Sequence, residues 1–205
     1  VPVKRIGVLE DEITGVTLKV RPIDVQVMWK VWKFFQAVYK KHTSESAVML
    51  HYSESLGWDV TIPTQVVSFS HVDYQSTDRL PGYSFIGTMH SHSSFNAFHS
   101  GEDKGYETQF DGIHITFGDV DEQSQFSMDP EVWINGTRFT LSLKHLGGVK
   151  EFNKVETKYY YVASRPKFTI ECPELKDWEV PAEWLAKVEH KFTFVSTASC
   201  LGEKL

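Results

Sequence analysis

His90 and His92 stand two residues apart at the end of an apolar run, "YSFIGTMHSH" (83–92). A β-strand sends alternate side chains to the same face, so two imidazoles at i and i+2 leave one side with backbones roughly 6.6 Å apart, near enough to converge on one ion. Seven residues later comes "SGED" (100–103), a Ser-x-x-Asp unit of the kind that opens a helix. The Ser100 hydroxyl accepts from a backbone N–H of the first turn, and Asp103 lies in that turn. The plain reading is a helix cap and nothing else. A second reading keeps the cap and gives it a task, because a rigid first turn holds the Asp103 carboxylate in one place facing the histidines. Two imidazoles and one carboxylate leave the fourth position of a tetrahedral zinc open to water, the ligand count of a catalytic site rather than a closed structural one.

Such a site needs a base. Zinc brings the pKa of bound water to about 7, and a carboxylate that is not itself a ligand must take the proton and pass it to a leaving amine. Two acids on a neighbouring element qualify. Glu45 precedes the strand-like "SAVMLHY" (46–52), and Glu54 follows it.

These residues need a scaffold. In "DVQVMWKVWKFFQAVYKKH" (24–42), Met28, Val31, Trp32, Phe35, Val38 and Tyr39 recur at helical spacing, Asp24 is placed to cap, and Lys40, Lys41 and His42 suit the C-terminal end. The helix predicts one face buried against a sheet. Strand patterns follow at 47–52, 60–72 with a break near Pro63, 83–92, 113–118, 132–134 and 139–143. A mixed β-sheet flanked by helices results, an α/β (α+β) domain over 23–154. Ahead of it, 1–22 reads as a β-hairpin turning at 10–15. Behind it, 155–205 reads as a C-terminal extension packed on the domain, with strands in "KYYYVAS" and "KFTIE" and a short helix in "PAEWLAKVEHKF" (181–192).

Composition excludes several classes. A net charge of −6 without a long run of either sign lacks the basic footprint of a nucleic-acid binder. The apolar runs fall far short of the roughly 20 residues a membrane span needs, and no basic-then-apolar leader opens the chain, so a soluble, cytoplasmic protein is expected. Cys172 and Cys200 are too few for a disulfide framework and read as free thiols. Among other polar residues, His99 is expected at the surface or in a turn, with contact to substrate as the alternative. His114 faces away from the apolar side of its strand. His71, Asp73 and Asp78 lie in a polar segment ahead of the His90–His92 strand, the six tryptophans pack in the core and on helix faces, and 104–111 forms a short connection after Asp103.

Together these pieces resemble the JAMM (MPN+) zinc metalloprotease family, whose motif is an upstream Glu, then H-x-H, seven residues, Ser, two residues, Asp. His90, His92, Ser100 and Asp103 match it without a gap, and the resemblance extends over roughly residues 23–146, including "DGIHITFGD" (111–119). It implies an MPN-type, cytidine-deaminase-like fold in which His90, His92 and Asp103 bind Zn²⁺ and Ser100 stabilises an oxyanion. The family's base lies in a segment resembling E-x-x-G-x-L, which "ESAVML" places at Glu45. Val48 stands where a Gly is usual and Ser93 where a Pro is, as in a divergent, prokaryotic-type branch. The implied activity is an isopeptidase or peptidase acting after the C-terminal tail of ubiquitin or a ubiquitin-like modifier, with a partner subunit or a homodimer as its assembly. Two alternatives stand beside it: a catalytically silent module of the same fold that binds a modifier or partner, and a zinc hydrolase acting on a small sulfur-carrier adduct.

Overall fold

The computed structural model describes residues 15–16, 18, 20–75, 79–109, 111–152 and 166–191. The helical period of the sequence becomes α1 (Val25–His42), which buries Val27, Met28, Val31, Trp32, Phe34, Phe35 and Val38. Lys40, Lys41 and His42 occupy its last turn, and Thr43 closes it in the left-handed region, its N–H bonded to the Tyr39 carbonyl. Asp24 stands at the N-cap, but its side chain makes no capping bond; the backbone carbonyl of Asp24 accepts from Val27 and Met28 instead.

Among the described residues the strands form two sheets, the larger of nine strands. Along its main path run β1 (Gly15–Val16), β9 (Thr137–Leu141), β8 (Phe126–Ile134), β7 (Gly112–Gly118), β6 (Ser84–Ser91), β2 (Ala47–Ser53) and β3 (Gly57–Thr61), in that order. Off the path, β11 (Lys167–Ile170) pairs with β8 and with β10 (Val149–Glu151). A second sheet has three strands, β12 (Val188–His190), β4 (Gln65–Ser68) and β5 (His71–Tyr74), with β5 at its edge. β6 and β7 run parallel, joined through a loop and α2 (Gly101–Glu107). The architecture is therefore mixed α+β, as the alternation of patterns implies.

Strand alternation gives the large sheet two unlike faces. Met89, Ile113, Ile115 and Phe117 join α1 in one apolar core, where Trp32 lies 4.7 Å from Phe126 and Phe35 meets Phe117 edge-on at 5.4 Å, ring centre to ring centre. The intervening residues leave the other side, and cross-strand register lines them up: Thr88 beside His114, His90 beside Thr116, and His114 beside Glu131. These polar side chains are also buried.

Several elements depart from expectation. The run 60–72 breaks into three strands, and the break at Pro63 sends β4 and β5 to the second sheet. β8 begins at Phe126, well before the expected 132, and carries Pro130 in its middle, a residue that reads as a strand breaker because it has no N–H to donate. The helix expected over 181–192 is a single turn, Ala182–Leu185, after which β12 pairs in parallel with β4. The polar stretch 144–154 contains β10 and follows a 3₁₀ turn at Leu143–His145. Residues 104–107, expected as connection, continue α2. Gly15–Val16 pairs in parallel with β9, while the rest of the expected hairpin turn, "KYYYVAS", Asp78 and Cys200 lie outside the described residues. Cys172 is a buried free thiol. Among the described residues no helix is long and apolar enough to cross a membrane.

Candidate metal centre

Register brings the site together. β2 lies antiparallel to β6 with Ala47 opposite His90, so Glu45, two residues ahead of Ala47, falls beside His92, two residues beyond His90. The pairing continues past the strand ends: Ser91 N–H donates to the Ser46 carbonyl at 2.9 Å, and Ser46 N–H donates to Ser91 Oγ at 3.0 Å. Glu45 N–H is tied to the Ser68 carbonyl of β4 at 3.0 Å. The chain then turns sharply after His92. Ser93 has φ = 47°, which proline, locked near −65°, cannot adopt, so this backbone accounts for a serine at a position where the family resemblance expects proline. The loop that follows lies against Gly118, where an added Cβ would fall 2.1 Å from the Ala97 nitrogen.

That loop delivers Ser100 to the N-cap of α2, where the full reciprocal box forms: Asp103 N–H donates to Ser100 Oγ at 3.1 Å, and Ser100 N–H donates to Asp103 Oδ2 at 2.7 Å. The carboxylate so clamped faces both imidazoles. His90 Nε2 and His92 Nε2 are 3.1 Å apart, His90 Nε2 is 3.4 Å from Asp103 Oδ1, and His92 Nε2 is 3.4 Å from Asp103 Oδ2. A tetrahedral zinc with bonds of about 2.0–2.1 Å spaces its ligand atoms about 3.3–3.4 Å apart. Nitrogen and oxygen donors at this spacing fit such an ion, and these three residues can hold one.

Electrostatics agree with that donor set. Burial works to raise the Asp103 pKa, but hydrogen bonds from His90, His92 and Ser100 outweigh it and hold the carboxyl well below its usual range. Burial lowers the His92 pKa, against the pull of Asp103, so its ring favours the neutral form that offers a lone pair. Glu45 is only 7% exposed; burial first, and then the charges of Asp103 and Glu102, push its pKa up to about 8. A carboxyl that titrates near neutrality can both take and give a proton there. Glu45, His90, His92, Ser100 and Asp103 all line one cavity of about 230 Å³, whose wall also includes Tyr74, Thr88 and His114.

Glu54, the rival acid, is exposed in the turn beyond the far end of β2, about 20 Å from the His90 end at roughly 3.3 Å per residue. His114 occupies the polar face, as its alternation implies, with Nδ1 3.0 Å from Thr88 Oγ1. His71 pairs with Glu102 at 3.4 Å on the surface, and Asp73 is exposed. The expectation for His99 fails. It is not a surface residue but fully enclosed, with Nδ1 2.7 Å from Glu107 Oε1 and Nε2 2.9 Å from the Asp129 carbonyl. Burial opposes charge on this ring, yet the bond to Glu107 and the carboxylates around it raise its pKa. His99 and Glu107, with Glu131, form a second buried group that sequence reasoning missed. Only the coincidence of a histidine and a glutamate at the two ends of one short helix hinted at it.

No protein-family model matches the sequence, and no curated protein does. Among solved structures, the chain is similar to a JAB1/MPN domain protein from Archaeoglobus fulgidus, with 21% identity and a TM-score of 0.39 over 60% of this chain and 97% of that one.

Proposed function

We propose that this chain is a zinc-dependent amide hydrolase of the JAMM (MPN+) kind. The observation that carries the reading is the spacing of His90, His92 and Asp103 at ion-ligand distances, with the buried carboxyl of Glu45 on the same cavity. Zinc held by those three would act as a Lewis acid and bring the ionisation of water into the neutral range. Glu45 takes a proton from the attacking water on its carboxylate and returns it to the leaving amine, from a position on the same cavity as the three candidate ligands. Ser100 Oγ already accepts from Asp103 N–H, so its own hydrogen is free to be donated to the oxyanion of the tetrahedral intermediate.

The substrate we propose is the peptide or isopeptide bond that follows the extended C-terminal tail of ubiquitin or a ubiquitin-like modifier. Two features suit an extended chain. β5 lines the cavity from the edge of its sheet, and an edge strand offers backbone groups for pairing regardless of side chain. Phe69, Phe95, Phe98 and Tyr106 expose aromatic surface nearby, with Phe69 and Phe95 packed edge-on at 5.2 Å.

Cleavage of modifier–amide fusions, with and without chelator, tests the proposal. Glu45→Gln should slow turnover about 10²- to 10⁴-fold while zinc stays bound, and His90→Ala should lose zinc and turnover together. Full activity in Glu45→Gln would remove Glu45 as the base. Modifier binding without any zinc-dependent cleavage would make the chain a recognition module.

A further inference from the structure

α2 carries Asp103 and Ser100 but has almost nothing apolar to hold it. Of its seven residues the one fully buried is Glu107, and two are glycines. A helix this short is unstable alone, and each interior glycine costs about 1 kcal/mol relative to alanine. Its position must come from polar anchors. The capping box fixes its first turn. At the other end stands Glu107, bonded back to the residue just before the N-cap, His99.

We propose that His99 is a positioning residue: held between Glu107 and the Asp129 carbonyl of β8, it fastens the helix that carries Asp103 and Ser100 to the sheet that carries His90. A carbonyl can only accept, so Nε2 carries a hydrogen and donates it to Asp129. Nδ1 faces the Glu107 carboxylate at 2.7 Å, and Glu131 Oε2 stands 3.7 Å from Nε2. Thr116 Oγ1 bridges this group to the metal centre, 3.5 Å from His99 Nδ1 and 3.3 Å from His90 Nε2. One imidazole thus ties together both ends of α2, the strand behind it and, through a hydroxyl, one of the candidate ligands. A second ion among His99, Glu107 and Glu131 is the competing account, because Glu107 Oε2 and Glu131 Oε2 have no hydrogen-bond partner among the described residues. Against it, both ring nitrogens are taken, and 2.7 Å is the separation of two atoms sharing a proton rather than of two atoms sharing a zinc.

The metal-linked half of this proposal rests on the zinc reading above, and the test separates the two. Amide hydrogen exchange over residues 100–107 is compared in metal-free wild type, His99→Gln and Glu107→Gln, and zinc stoichiometry and affinity are titrated against a competing chelator. Exchange over 100–107 should accelerate about tenfold or more in His99→Gln, with β7 still protected. It should change less in Glu107→Gln, whose side-chain amide can still hydrogen-bond Nδ1. Zinc stoichiometry should remain one per chain, with affinity about 10- to 100-fold weaker in His99→Gln, as when the support behind a ligand is removed. Should His99→Gln not fold, Glu107→Ala carries the same comparison. Unchanged exchange in folded variants overturns the proposal. So does a wild type that takes two zinc ions where His99→Gln takes one. A wild type that takes no zinc, while His99→Gln still loosens α2, sinks the zinc reading and leaves the clip standing.

Discussion

Around His90, His92 and Asp103 the donor atoms lie 3.1, 3.4 and 3.4 Å apart; around His99, Glu107 and Glu131 they lie 2.7 and 3.7 Å apart. Both groups are built of histidine and carboxylate, both sit on the polar face of one sheet, and a single threonine hydroxyl touches both. What differs is how the backbone presents them. In the first group two imidazoles rise from one strand end and a cap pins the carboxylate opposite them, so the three donors are held near one another at a spacing an ion can fill. In the second, a backbone carbonyl claims one ring nitrogen and a carboxylate the other, so the ring's protons are already used. Residue type alone does not distinguish a place for a metal from a place for a proton. Spacing and prior engagement do.

Ser100 and His99 are adjacent in sequence and fall on opposite sides of that comparison, which makes them the sharpest pair to separate. Ser100→Ala removes the hydroxyl proposed to meet the oxyanion, and turnover should fall about 100-fold, the loss usual for one such donor. Stability should drop by about 1 kcal/mol with the lost cap. Zinc affinity should hold, because the bond from Ser100 backbone N–H to Asp103 Oδ2 survives the change. His99→Gln should show the reverse, weakened affinity with the oxyanion donor intact. Steady-state kinetics and a chelator titration on the two variants decide it. If both lose affinity equally, the groups act as one unit and the contrast drawn above is wrong.

The first group could be read from sequence because its determinants are local: a two-residue strand period for His90 and His92, a three-residue cap for Ser100 and Asp103. Placing Glu45 beside them required the register of β2 against β6, which no spacing within either segment reveals, and only the family resemblance favoured it over Glu54. His99 was misjudged because its partners are eight and thirty residues away and nothing about a histidine in a loop announces them. The same distance effect explains the strands. α1 and β2 carry their own periodicity, whereas β12 is a strand only because β4 accepts it in parallel, and Pro130 hid the first half of β8 by looking like a break.

Beside the first group stands a buried acid, Glu45, whose ionisation makes stability depend on pH. In metal-free protein the Glu45 carboxyl titrates at about 8 rather than 4.5, so the folded state binds its proton more tightly than the unfolded state does. This acid carries no penalty below about pH 4.5, and stability falls as pH climbs from there through about 8, by up to about 4–5 kcal/mol at 1.36 kcal/mol per unit. Glu45→Gln cannot ionise. Metal-free Glu45→Gln should therefore match the wild type at acid pH and exceed it by several kcal/mol at pH 8.5, measured by urea unfolding at both values. A difference between the two that does not change with pH would mean Glu45 is not held protonated by its surroundings.

The smallest expected effect lies on the rim of the second group. Arg138 Nη1 sits 3.0 Å from Glu131 Oε1, pairing a half-exposed guanidinium with a buried carboxylate. Burial raises the Glu131 pKa, while His99 and Arg138 pull it back. Replacing Arg138 with Met keeps much of the side-chain volume and leaves Glu131 with one cation fewer. Solvent screening of the exposed partner limits the loss to about 1 kcal/mol. Turnover and zinc affinity should stay within about twofold of wild type, because the ion pair of Arg138 is made to Glu131 on β8, and His99 remains anchored through Glu107 and Asp129. Urea unfolding alongside a chelator titration reads both quantities. A large fall in zinc affinity in a stable Arg138→Met protein would show that charge on the second group is felt directly at the first, and that the threonine between them transmits more than position.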